Sequence, residues 1–181
     1  MTFRELIAEA AMDLGSYALK TSERLTYLYK NDSELAEAIE AYDTDGMESK
    51  ILFVFAIKQD MGLNVFDAVY AQKGYGPSAY KTAMTMMGSL APVQDSRVTR
   101  SAQRIWEEFY SGKGSNDVTK ELFGAVDGWQ RNNYKLKKPL NLAKNKKAHE
   151  KFIGKDPYQE RIGMLDELAD GLLNSKMAEI Y

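Results

Sequence analysis

The chain has no cysteine, a single histidine and only four prolines in 181 residues. Without cysteine, disulfides, thiolate metal sites and cysteine nucleophiles are excluded outright. With His149 as the only histidine, a His-pair zinc site and the Glu-x-x-His pairs of di-iron bundles are excluded too. Long hydrophobic runs are missing as well. The longest, Ile51 to Ile57, falls far short of the roughly 18 apolar residues that a membrane span needs. The first residues, with Arg4, Glu5, Glu9 and Asp13, lack the basic-then-apolar layout of a secretion signal, so the expected location is the cytoplasm.

What the chain does have is charge sorted by position. Residues 1–60 hold 6 basic and 12 acidic groups, residues 61–130 hold 7 of each, and residues 152–181 hold 3 and 6. Eight of the 24 Lys and Arg residues fall between Arg131 and Lys151, against the single acid Glu150. A chain of net charge −2 arranged this way carries one surface able to attract a polyanion or an acidic partner.

Apolar spacing predicts helices almost throughout. Leu6, Ile7, Ala10, Ala11, Leu14, Tyr17, Ala18, Leu25 and Leu28 recur at three- and four-residue steps over 3–30, with Gly15 and Ser16 as a break. Asp32 or Ser33 caps a short helix to Ala41. The run from Ile51 to Ile57 reads as a buried helix, because no partner strand is evident. Asn64 caps another that buries Val65, Phe66, Val69 and Tyr70. Pro77 opens a methionine-rich helix at about 78–89. Asp95 or Ser96 starts one that runs to Tyr110, and Asp117 to Gln130 forms the next. After Pro139 a short basic helix spans Asn141 to Phe152, and Asp156-Pro157 opens the last. The expected fold is therefore all-α, a compact domain of about eight helices. Residues 1–130 would form the body, 131–156 a basic segment, and 157–181 a C-terminal amphipathic helix that packs on the body or on another copy.

In the basic segment, Lys144, Lys147 and Lys151 share one helical face, while Leu142, His149 and Phe152 share another. Such a row suits phosphate contact, which is sequence-independent and weakens with salt. Arg131, Lys135, Lys137 and Lys138 extend it, and Tyr134, if exposed, can stack on an unpaired base. A second stripe, Arg97, Arg100 and Arg104, lies on one face of the helix that precedes Tyr110. The alternatives are two solvated charged faces, or docking to an acidic protein.

Other motifs carry less. In Asp43-Thr44-Asp45-Gly46, setting Gly46 at the sixth position of a calcium loop puts Ala41 first and Leu52 twelfth, where carboxylates are required. Gly112-Lys113-Gly114-Ser115 lacks the glycine spacing and Lys-Ser/Thr pair of a P-loop. The Lys73-Gly74-Tyr75-Gly76 turn precedes a helix and is either a bare turn or an anion cradle. Glu107 and Glu108 are adjacent and so point about 100° apart on a helix, a poor acid–base pair. Neither a cofactor nor a metal is implied, and no set of nucleophile, base and oxyanion donor stands out.

The opening Met1-Thr2-Phe3-Arg4-Glu5-Leu6-Ile7-Ala8-Glu9-Ala10 resembles the short capsid-targeting helix of the internal head proteins of T4-like bacteriophages. The resemblance implies cleavage after Glu9 by a head-maturation protease, and a place within a virion or a host cell. Leu35-Ala36-Glu37-Ala38 matches the same Ile/Leu-x-Glu-Ala pattern as Ile7 to Ala10. Phe3 to Gly15 is also similar to the first helix of the adaptors that join tailed-phage portals to tails. The expectation is a non-enzymatic binding or assembly protein that meets DNA or RNA through phosphates, or other proteins or copies of itself, without a membrane; the alternatives are an interaction module for an acidic protein and an enzyme of unrecognised type.

Overall fold

The structure, a computed structural model, describes residues 17–93, 98–112, 116–126, 129–154 and 159–180, with backbone alone at 124–126, 129–130, 159–162 and 176–180. It overturns the all-α expectation. The chain is an α/β protein whose centre is an antiparallel sheet of order β1-β2-β3-β4, namely β1 Ala18–Thr21, β2 Thr26–Tyr29, β3 Ile51–Asp60 and β4 Leu63–Ala71. A second, two-stranded sheet pairs β5 Val118–Val126 with β6 Trp129–Leu136. Among the described residues there are six helices: α1 Ser33–Glu40, α2 Thr44–Glu48, α3 Gly76–Met87, α4 Arg100–Ser111, α5 Ala143–Ile153 and α6 Gln159–Ile180.

Four of the expected helices are therefore strands in whole or in part. Ile51–Ile57 is the middle of the sheet, and its unbroken apolar run follows from burial of both faces. Phe53 and Phe55 enter the core on the α3 side together with Leu28 and Phe66. Val54 enters the core on the α6 side with Tyr27, Tyr29 and Ala68. Residues 64–70 form β4, and residues 18–29 form the β1–β2 pair instead of continuing a helix. Residues 118–126 and 129–136 form the β5–β6 hairpin where helix and connector were expected.

The sheet is covered on both sides. On one face Leu165, Ala169, Leu172 and Leu173 of α6 pack with Leu35 and Ile39 of α1 and Met47 of α2. On the other lies α3, buried nearly all round through Ala79, Tyr80, Ala83 and Met84. Each side chain placed in these cores removes a few tens to a hundred or more Å² of apolar surface from water, worth about 25 cal/mol per Å². A chain of ring contacts joins the layers: Phe55–Phe66 at 5.4 Å, Phe66–Tyr80 at 4.8 Å, Tyr80–Trp106 at 5.0 Å and Trp106–Tyr134 at 5.1 Å.

Helix ends follow local chemistry. Asp32 accepts from the Leu35 N–H at 3.0 Å, and Thr99 accepts from the Ala102 N–H at 3.2 Å, starting α1 and α4. Gly88 and Gly112 adopt positive φ, 80° and 67°, and end α3 and α4. The two sheets meet at Leu90 and Ala91: Leu90 exchanges backbone hydrogen bonds with Tyr134 on β6, and the Ala91 N–H donates to the Asn64 carbonyl on β4. No helix among the described residues is long and apolar enough to cross a membrane.

Candidate polyanion-binding face

The basic helix expected from the sequence is present as α5, and one side of it is fixed to the body. Leu142, Asn145 and His149 are buried and Phe152 is half-buried, a spacing of three to four residues that draws one stripe. The Asn145 side-chain amide donates to the Tyr17 carbonyl at 2.8 Å. The His149 Nδ1 shares a 2.9 Å hydrogen bond with the Tyr29 hydroxyl, and Phe152 meets the Tyr29 ring edge-on at 5.8 Å. Together these place α5 along β1, the outer strand of the sheet.

The opposite side is cationic. Lys144, Lys146, Lys147 and Lys151 are exposed, as are Lys137 and Lys138 in the connection that leads to the helix. Among the described residues none of these six lysines takes part in an ion pair. From Lys144 to Lys151 the row runs about 10 Å along the axis at 1.5 Å per residue. Lys144 and Lys147, and Lys147 and Lys151, are like-charged neighbours, each pair costing an isolated helix about 0.2–0.5 kcal/mol. Lys144 and Lys146 also stand in the first turns, where the helix dipole disfavours cations.

The remaining sequence-predicted residues are distributed differently. Tyr134, 2% exposed, packs against Trp106 and Phe109, so its ring is enclosed by the core. Arg131, 8% exposed, donates from Nη1 to Asp60 at 2.9 Å and from Nη2 to the Pro92 carbonyl at 2.7 Å. Both expected contacts are corrected to core positions: alternation along β6 turns the two side chains inward on opposite faces of the hairpin. Lys135 is half-exposed and pairs with Glu121 across it at 2.8 Å. Arg100 and Arg104 are exposed on α4, but α4 packs on α3 and β5 while α5 packs on β1, so the two basic faces are carried by different parts of the body. Arg97 and the first ten residues, with their phage-protein resemblance, lie outside the described residues.

Sequence reasoning missed the polar cluster beneath α5. The Tyr27 hydroxyl donates to Asp166 Oδ1 at 2.8 Å, and Lys20 pairs with the same carboxylate from β1. Burial, then the Asp166 charge and hydrogen bond, pushes the Tyr27 phenol far above its ordinary range; burial and Asp166 do the same to Tyr29. Burial, with Lys20 nearby, moves His149 below its usual value against the weaker pull of Asp166 and Glu150. No spacing within one segment reports this cluster, because its members come from β1, β2, α5 and α6. Among the described residues no group of three or more His, Asp or Glu is placed to hold a metal ion. Compared with known proteins, the chain matches no family model, no curated protein and no solved structure.

Proposed function

We propose that this is a non-catalytic binding protein that holds nucleic acid through its phosphates, using the exposed lysine face of α5 and the Lys137–Lys138 connection. The observation that carries the reading is the pairing of a firmly anchored inner stripe with an outer row of lysines that lacks acidic partners among the described residues. A row of like charges is mildly self-repelling in the free protein, and a phosphate backbone relieves that repulsion while releasing counterions. Contacts of this kind position a protein on the backbone without reading bases. The net acidic balance of the rest of the chain favours attraction at this side.

The test is fluorescence anisotropy with labelled single- and double-stranded DNA and RNA, titrated across salt. Affinity should fall steeply as salt rises, with a log–log slope of about 0.7–0.9 per phosphate contacted. The triple change Lys144→Glu, Lys147→Glu and Lys151→Glu should abolish binding with the circular dichroism spectrum and melting temperature retained. Unchanged affinity in that variant would remove the assignment. Absence of binding at low salt, combined with capture of a defined acidic protein that survives nuclease, would transfer the face to a protein partner.

A further inference from the structure

The second sheet has an outer edge whose state follows from hydrogen-bond geometry. The Leu90 N–H donates to the Tyr134 carbonyl, and the Tyr134 N–H donates to the Leu90 carbonyl, both at 2.9 Å. Tyr134 thus spends both backbone groups away from β5. In an antiparallel pair, residues alternate between those that bond across the ladder and those that do not. Lys120, which lies opposite Tyr134, therefore turns its own N–H and C=O outward, and so do Val118 and Leu122. The inward set is Asp117, Thr119 and Glu121; the Lys137 N–H donating to the Asp117 carbonyl at 2.7 Å continues the same alternation. Among the described residues, the outward N–H and C=O groups of Val118, Lys120 and Leu122 have no backbone partner.

Val118, at the start of the edge, is buried in the core, but beyond it the side chains are not those of a shielded edge. Leu122 is 66% exposed and Phe123 38%, and Met61, in the β3–β4 turn, is 65% exposed. The Phe123 ring lies close to Gly62 in that same turn, so the apolar groups gather at one end of the strand. Lys120 stands in the middle, with its ammonium 3.6 Å from the centre of the Tyr110 ring and a hydrogen bond to the Tyr110 carbonyl. Among the described residues it has no acidic partner. The neighbouring charge, Glu121, is already matched by Lys135.

We propose that β5 is a docking edge for an extended segment of another protein, added as a third strand beside β5 and β6. Main-chain hydrogen bonds to Lys120 and Leu122 would hold it, as in other strand-addition complexes. The chemistry of the segment follows from the strand: a carboxylate opposite Lys120, and apolar side chains opposite Leu122 and Phe123. Self-pairing in the registers centred on or beside Lys120 is disfavoured. Two-fold antiparallel pairing centred on Lys120 sets one Lys120 against the other. A shift of two residues sets Glu121 against Glu121 in one direction and Asp117 against Glu121 in the other. Like charges directly opposite one another destabilise a sheet, so the same residues that invite an acidic–apolar strand discourage self-pairing.

The probe is a synthetic capped peptide containing Ile-Val-Thr-Glu-Thr-Val, which places its glutamate opposite Lys120 when it lies antiparallel to β5. Amide hydrogen exchange of the whole protein, with and without millimolar peptide, should show the Lys120 and Leu122 amides slowed at least tenfold by the peptide and the rest of the chain little changed. Leu122→Pro is the diagnostic variant, because the N–H it removes faces outward and the β5–β6 ladder does not use it; proline is tolerated at such edge positions. That variant should fold and lose at least tenfold in peptide affinity. Lys120→Glu should lose as much and recover binding with lysine in place of the peptide glutamate. No slowing at millimolar peptide, or equal affinity in Leu122→Pro and Lys120→Glu, would overturn the proposal. So would protection of these amides that rises with protein concentration in the absence of peptide, since that identifies a second copy as the occupant.

Discussion

The Tyr29 hydroxyl and the His149 Nδ1, 120 residues apart in sequence, lie 2.9 Å from each other in a buried contact that ties α5 to the sheet. Burial and the nearby Lys20 favour the neutral imidazole in the folded protein, so its folded value lies below its ordinary one. The unfolded chain then binds the extra proton first as pH falls, and folding stability falls with it. The contribution is absent above the ordinary histidine range near 6.5 and grows as pH drops below it toward the folded value. The urea midpoint of the native chain should therefore decrease between pH 7.5 and 5.5 more than that of His149→Gln. Parallel pH profiles would show that His149 is not the titrating group.

Tyr27 makes a comparable contact with Asp166, its hydroxyl donating at 2.8 Å from within the core. Removing the hydroxyl leaves the carboxylate with Lys20 and solvent, so the cost is that of one hydrogen bond to a charged group that keeps other partners. Tyr27→Phe should destabilise by about 1 kcal/mol in chemical denaturation. Asp166→Ala takes the partner from both a buried hydroxyl and Lys20, and should cost more than Tyr27→Phe. The reverse order would mean that the cluster does not hold α6 to the sheet.

Lys81 is a cation buried on the most enclosed helix, α3, and pairs at 2.8 Å with Asp117, a half-exposed residue just before β5. Removing one member of such a pair is worse than replacing the buried one by an apolar side chain of similar shape. Asp117→Ala should thus lower stability by about 1–2 kcal/mol, a range reduced from that of a fully buried pair because water reaches the carboxylate. Lys81→Met should be close to neutral. Equal losses from the two changes would show that the pair itself stabilises the fold.

The helices that face solvent on one side were legible in the sequence, and the strands were not. In α4 and α5, exposed lysines and arginines alternate with Ile105, Phe109, Leu142 and Phe152 at helical spacing, and both helices are present near their expected bounds. In β3 both faces are buried, so Ile51 to Ile57 carries no alternation to separate strand from helix. Leu28 stands opposite Phe53 while Tyr29 stands opposite Ile51, which leaves Leu52 as a bulge; Asp67 is bypassed in the same way between Ala56 and Ile57 of the partner strand. These extra residues break the period of two. The turn between β3 and β4 also hides itself. Met61 and Gly62 both have positive φ, 50° and 80°, the conformation of a two-residue hairpin loop, yet methionine stands where asparagine or glycine is the usual signal. The β5–β6 hairpin that buries Tyr134 and Arg131 lies where a helix and a connector are expected from the sequence.

That burial separates two groups of residues which the sequence placed in one basic segment. Arg131 is enclosed between Asp60 and the Pro92 carbonyl, whereas Lys144, Lys147 and Lys151 face solvent from α5. A buried arginine with neutralised charge adds little to the potential outside, and its loss leaves Asp60 without its cation. Arg131→Met should therefore lower the melting temperature while leaving the salt dependence of nucleic-acid binding unchanged. Each of Lys144→Gln, Lys147→Gln and Lys151→Gln should do the opposite, with melting temperature held and the log–log salt slope reduced by up to about 1. The comparison separates fold from site, because a slope that responds to Arg131 and not to the lysines would place the phosphate contacts on the hairpin instead of α5.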